Sequence, residues 1–445
     1  MAMMVYFFFK IVWIYIFSPE FVRNVKIPPI MPLVPYLPSV FKLDFLPPFY
    51  FIYWIIILAV VAIPHEFAHG IYAAYNKVRI KTTGFAFLPY FFPVFLAAFV
   101  ELDEKELSKK SNFGQLATLS AGTFANVLTA IFFFIVLWVF FSAAYVPSGA
   151  VFDTYPYASI NVSQIQSINN ISINHSASDA GVSGSSQEVI YGNMLDIMDN
   201  SDNINEITLK IPKGKNETEM MTFWTSKELF KEPQNRLLFE EEGRVVVFYD
   251  SPAVRAGLTG AIYEIDGVKI NNRDNLISEL NSKSPGQTIS ISTYSKEQEV
   301  EGVEGVEGVE YTEQYNITLG EHPEAEGVPW LGVAFLDRTK GGVMGRIASM
   351  STAFRQPGTY YKPRFGGFSD FIYNLLWWIV LVCFSIALIN MLPIGMFDGG
   401  RFFFLTVAAI TGSKKIARKA FGFVTLLFIF LILLILSTWA WSMFG

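Results

Sequence analysis

A chain of 445 residues that is 52% hydrophobic, 16% aromatic and only 16% charged departs from the make-up of a soluble enzyme, in which charged residues approach ~25%. A net charge of −6 leaves no basic footprint, which excludes nucleic acid as a partner. The single cysteine, Cys383, excludes a disulfide framework and a cysteine-built metal site.

In chain order, residues 3–17 are apolar around Lys10. Without a basic leader or a small-residue cleavage site they read as an anchor, although one short of the ~20 residues a spanning helix needs. Pro28, Pro29, Pro32, Pro35, Pro38, Pro47 and Pro48 then predict an extended linker. A span is predicted over 49–75, charge-free from Phe49 to Ile63. Residues 83–100 are apolar but broken by Gly84, Pro89 and Pro93, the pattern of a hairpin or re-entrant segment buried against protein. Further spans are expected at 113–144, 369–393 and 421–443, while Phe402 to Ile410 is too short to cross. A polar region fills 148–368. The fold class is therefore a polytopic α-helical membrane protein, embedded in the lipid bilayer, with a β-rich insert. Its parts are 1–48 (anchor and linker), 49–147 (first membrane part), 148–368 (insert) and 369–445 (second membrane part).

Chemistry concentrates where the first long span ends, in His65-Glu66-Phe67-Ala68-His69. On a helix His65 and His69 share a face and can point at one ion, while Glu66 reaches a water bound to it. Ionisable groups in a membrane span are expensive and mark function. A zinc site needs a third protein ligand and one open position. His175 and His322 lie in polar sequence far from any span. Asp398 follows the span at 369–393, past the helix breakers Pro393 and Gly395, and precedes Gly399-Gly400. Alone it reads equally as a turn that caps a helix. Paired with the histidine motif it reads as the third ligand.

These residues reach a resemblance. His65-Glu66-x-x-His69 on one span, with Asn390-x-x-Pro393 and Asp398-Gly399 on a later one, resembles the site-2 protease family of intramembrane zinc metalloproteases. Ser120-Ala121-Gly122-Thr123-Phe124-Ala125-Asn126 resembles the family's Ala-Gly-Pro-x-x-Asn segment, with Thr123 in place of proline. Ala98-Phe99-Val100-Glu101 resembles the segment after its membrane-embedded hairpin, and Phe397 replaces the usual leucine before Asp-Gly. The resemblance covers the membrane half of the chain. It implies Zn²⁺ on His65, His69 and Asp398, Glu66 as the catalytic base, and transmembrane protein substrates cleaved within their spans. It also implies an upstream protease acting on the same substrate. Asn390 would bind the substrate backbone, or else form an interhelical hydrogen bond, for example to Asn126.

Lysine and arginine in short loops place those loops in the cytoplasm. Lys77, Arg79 and Lys81, then Lys105, Lys109 and Lys110, then Lys414, Lys415, Arg418 and Lys419 mark three such loops of a multi-pass cell-membrane protein. The metal site then lies toward the cytoplasm and the insert outside, where the glycosylation sequons at Asn161, Asn170, Asn174, Asn216 and Asn316 weakly agree. Within the insert, Asp250-Ser251-Pro252-Ala253 leads through the hairpin signal Asp266-Gly267 to a helix at Arg273–Asn281 and a strand at Thr288–Tyr294. This resembles a PDZ domain of the protease-associated kind, at about 240–320. A degenerate copy at about 150–212, carried by Tyr155-Pro156 and the run Ile168 to Ile173, or an unrelated β-rich linker, precedes it. Glu301 to Glu310 is a low-complexity Glu-Gly-Val tract that reads as a solvated loop. The alternative to a protease is a membrane chaperone or scaffold that binds extracytoplasmic tails through the PDZ-like region. Intact Glu66 argues against it, because a structural metal needs no general base. A transporter would show repeated broken spans, and none repeats here.

Overall fold

Lipid offers backbone N–H and C=O groups no partner, so charge-free stretches must bond within themselves as helices. The computed structural model describes residues 1–18, 33–40, 46–88, 94–173, 186–198, 204–212, 218–296, 310–335 and 354–444, with Val22 and Pro29. Among these, four helices are long and apolar enough to cross a membrane. They are α2 (Phe51–Tyr75), α3 (Asn112–Ala144), α8 (Gly367–Ile389) and α10 (Lys414–Phe444). The last begins at Lys414, ahead of the apolar stretch at 421, because Lys, Arg and Ala are strong helix formers that hydropathy does not register. α1 (Ala2–Phe17), with 16 residues, and α9 (Asp398–Thr411), with 14, are too short at ~1.5 Å per residue to cross ~30 Å of hydrocarbon.

The chain divides into two units, Met1–Ala144 with Pro363–Gly445, and Tyr145–Lys362. In the first, α2, α3 and α8 pack around Phe49, Tyr53, Ile57, Ala130, Trp378 and Cys383. The polar edges of its two largest fully buried aromatics are satisfied: Tyr53 Oη donates to Phe371 O at 2.9 Å, and Trp378 Nε1 to Pro48 O at 3.1 Å. α1 lies on α10, with Phe8 stacked on Phe428 at 4.7 Å between ring centroids. Between α2 and α3 the chain forms an antiparallel hairpin of β1 (Ile80–Leu88) and β2 (Val94–Leu102), with Thr83 opposite Val100. Its tip, including Pro89 and Pro93, lies outside the described residues, as do Pro28 and Pro32 of the linker, His175, the sequons at Asn174 and Asn216, and residues 301–309 of the Glu-Gly-Val tract.

The second unit repeats one element order. β5 (Ile165–Ile168), β6 (Ile171–Ser172), α4 (Ser186–Ile197), β7 (Asn205–Pro212) and β8 (Thr218–Thr225) come first. β10 (Ala261–Ile265), β11 (Val268–Lys269), α7 (Arg273–Asn281), β12 (Thr288–Lys296) and β13 (Glu310–Thr318) repeat the order. Both copies turn their hairpin on two residues of positive φ, Asn169-Asn170 at 50° and 62° and Asp266-Gly267 at 49° and 82°. That is the geometry a two-residue hairpin needs to match strand twist. Between the copies run α5 (Lys227–Lys231) and α6 (Pro233–Glu242). β14 (Gly320–His322) and β15 (Ala325–Trp330) form a separate hairpin.

The flanking strands cross over. β3 (Tyr145–Ala150) stands before the first copy in sequence, yet pairs with β10 of the second. β9 (Arg244–Tyr249) stands before the second copy, yet lies between β8 and β4 (Tyr157–Asn161) in the sheet of the first. β16 (Thr359–Pro363) closes the other sheet beside β3. The sequence range 240–320 encloses the second helix-bearing repeat, whereas 150–212 stops short of β8 in the first, and each sheet is also completed by strands from outside its own range.

Candidate active site

α2 buries every fourth side chain along one stripe: Tyr53, Ile57, Val61, His65, His69 and Ala73. Residues four apart share a helix face. The stripe that builds the core in the first turns therefore carries two imidazoles in the later ones. His65 and His69 are 9% and 8% exposed. Their Nε2 atoms stand 3.2 Å apart, and Asp398 Oδ2 lies 3.4 Å from the first and 3.3 Å from the second. The structure brings together the three residues that the sequence singles out as metal ligands.

The outer ring nitrogens decide what the inner ones offer. His69 Nδ1 lies 2.8 Å from the Thr118 carbonyl oxygen, which can only accept, so Nδ1 carries the proton and Nε2 keeps its lone pair. His65 Nδ1 lies 3.1 Å from the Asn126 amide nitrogen, while Asn126 Oδ1 is buried without a partner. Amide oxygen and nitrogen are assigned from their bonding. Turned by half a rotation, the amide satisfies its oxygen with a bond from His65 Nδ1–H, and His65 Nε2 is left as a second inward lone pair. Two lone pairs and a carboxylate facing one another ask for a cation. Ligands on a tetrahedral ion at ~2.0–2.1 Å are separated by about 3.3 Å, the size of this triangle.

Three glycines shape the site. A Cβ on Gly122 of α3 would lie 2.6 Å from His65 Nε2 and would also strike His69 Nε2. Its absence leaves space beside both nitrogens. Asp398 comes from the break between α8 and α9, where Gly399 N donates to Asn390 O at 2.7 Å. A Cβ on Gly399 would stand 2.6 Å from the Met391 carbonyl oxygen, and one on Gly400 would strike the Ile394 carbonyl. Both glycines are there so that the start of α9 can press onto the loop backbone, which aims Asp398 at the histidines.

Glu66 Oε2 accepts from the Val100 N–H of β2 at 3.0 Å. The hairpin strand thus lies against α2 beside the site, with the Val100 N–H turned to Glu66. Asn390 is a different case. Among the described residues its side chain makes no hydrogen bond, and the bond to Asn126 is not formed, because Asn126 turns to His65. His322 belongs to β14 in the other unit, where its Nδ1 accepts from Glu324 N at 3.2 Å. Sequence reasoning names Asn126 in the family-like segment with Gly122 and as a partner for Asn390, but not as the residue that bonds His65. Its spacing of four from Gly122 was the available signal that both face α2. The Thr118 carbonyl and the Val100 N–H are backbone groups, which no residue type announces.

The model of Peptidase family M50 matches residues 53–272 and 360–435, taking in α2, α3 and the Asp398 loop. Peptidases of this family are intramembrane zinc metalloproteases of the site-2 protease type. The comparison with curated proteins gives no match. With more than half of its length matched, this multi-pass membrane chain belongs to peptidase family M50, the site-2 protease family.

Proposed function

We propose that the chain is an intramembrane zinc metalloprotease that cleaves transmembrane segments of membrane proteins, with His65, His69 and Asp398 holding Zn²⁺ and Glu66 as the catalytic base. The observation that carries this reading is the triangle of donors with 3.2–3.4 Å edges beside an unbranched Gly122. Zn²⁺ bound there supplies a Lewis acid that polarises the scissile carbonyl and brings the pKa of a water toward neutrality. Glu66 takes the water's proton as its oxygen attacks the carbonyl carbon. It then delivers a proton to the amine nitrogen as the C–N bond breaks. The Val100 N–H holds Oε2, which leaves Oε1 for the proton.

A peptide bond in a transmembrane helix is shielded by its own hydrogen bonds and must be unwound first. In our reading β2 offers its outer edge to the unwound segment. Asn390, whose side chain has no partner within the described chain, then bonds the substrate backbone. The basic segments at Lys77–Lys81, Lys105–Lys110 and Lys414–Lys419 support a metal site toward the cytoplasm with the insert outside. The insert is PDZ-like in its second repeat, and the matching turn geometry at Asn169-Asn170 supports a degenerate first copy.

The test is Glu66→Gln. It should retain zinc by metal analysis and lose cleavage of a single-span substrate in detergent. Cleavage at the wild-type rate would refute the mechanism. For Asn390, replacement by Leu should weaken crosslinking of a substrate trapped on the Glu66→Gln protein, and unchanged crosslinking would leave Asn390 a structural role only.

A further inference from the structure

The second unit contains a cleft of about 500 Å³ that proteolysis does not use. It opens where elements of the two strand-exchanged sheets meet, between the extended run Val151–Tyr155, α5 and the start of β10. Its walls are aromatic: Phe152, Tyr155, Phe248 and Tyr360. Tyr155 is fixed, since its hydroxyl donates to Leu258 O at 2.6 Å and its ring meets Phe248 edge-on at 5.1 Å. The charged residues among its lining are all acidic. Asp153, Glu228 and Glu232 line it, and among the described residues that line it there is no Lys, Arg or His. Glu228 on α5 and Glu232 just past its end are both exposed and both line the cleft. Tyr294, which also lines the cleft, already holds a cation on its ring, with Lys362 Nζ 3.3 Å from the centroid.

Carboxylates set among rigid rings match one kind of side chain best. Lysine and arginine lay their methylenes along apolar surface, stack their cationic heads on rings and bond carboxylates. The cavity is in the size range of pockets that take a few residues or a small ligand. We propose that this cleft binds an extended polypeptide segment carrying lysine or arginine. The assignment concerns binding in the insert, and it stands or falls independently of proteolysis.

The experiment uses the full-length protein in detergent and fluorescein-labelled Gly-Ser decapeptides with a central Arg-Lys pair or a central Glu-Glu pair, read by fluorescence anisotropy. The basic peptide should bind at least tenfold more tightly than the acidic one. The Glu228→Gln, Glu232→Gln double variant should weaken that binding tenfold or more, and so should Phe152→Ala. Both carboxylates are exposed, so the double variant should fold, and unchanged far-UV circular dichroism checks it. Equal affinity for the two peptides, or full affinity in both variants, overturns the proposal. Displacement by spermidine at the same concentration as by unlabelled basic peptide would also overturn it, because the cleft would then read charge alone.

Discussion

Gly122 touches the site by lacking a side chain. Gly122→Ala should suit the helix, since alanine is favoured over glycine by ~1 kcal/mol in a helix interior. Its methyl, however, would lie among the ligand nitrogens, 2.6 Å from His65 Nε2. The expected result is a protein that melts no lower than wild type in chelator but carries little zinc and does not cleave. Normal zinc content in this variant would show that the ligands can step back, and the close-fit argument would fail. Asn126 makes the complementary case. If its oxygen fixes the His65 tautomer, Asn126→Leu should lower zinc affinity by ~10–100-fold, measured by competition with a chelator, whereas Asn126→Asp, which keeps an acceptor oxygen, should lose much less. Equal losses in both would remove the tautomer role.

At the scale of elements, sequence carries the site where chemistry and spacing coincide. His65 and His69 are legible because four residues make a helix turn, and Asp398 because prolines and glycines predict the break that frees it. What sequence does not carry is which sheet a strand joins. β3 and β9 each stand before a proline-bearing segment at Pro156 and Pro252, and nothing local tells β9 to leave the copy it introduces for the sheet of the other. The charged first turn of α10 is missed for a related reason, since hydropathy finds lipid-compatible residues and not helix ends. One turn is legible in full. Asp266 occupies the first hairpin position and bridges onward, with Oδ1 accepting from Ser290 N at 2.8 Å and Oδ2 from Lys283 Nζ at 2.9 Å. The Ser290 N–H first, and the Lys283 ammonium second, hold its carboxyl below the ordinary 3.8. A carboxyl with a lowered folded value stabilises the fold in full above its ordinary value, and that contribution is lost as pH falls through the folded one. Amide exchange at Ser290 should therefore speed up in acid, after correction for intrinsic rates, relative to β7 in the other copy. Asp266→Ala should cost about 1 kcal/mol at neutral pH and abolish this difference. An unchanged acid response in Asp266→Ala would assign it to another group.

At the scale of the whole molecule, the question is access. A membrane protease that cut every single-span protein would be lethal to its cell, so the site must refuse most of what diffuses past it. The chain carries a large polar insert on the membrane unit, and that insert is tied at both ends. It leaves at Ala144 and returns at Pro363, and the two connections are neighbours, since Arg364 N donates to Ala144 O at 2.8 Å. A body held by two adjacent tethers can bar substrates by bulk alone, without a specific groove for each one. On the proposed function, we predict that substrates already trimmed by another protease pass, while those with bulky outer domains are refused. The tethering also makes the test practicable, because close ends can be joined by a short flexible linker at small entropic cost. Deleting residues 151–345 and joining the ends in this way should let untrimmed substrates be cut in a reconstituted bilayer, at rates approaching those of trimmed ones. If the shortened protein still cleaves trimmed substrates but leaves untrimmed ones intact, discrimination resides in the helical unit, and the insert acts through binding, not exclusion.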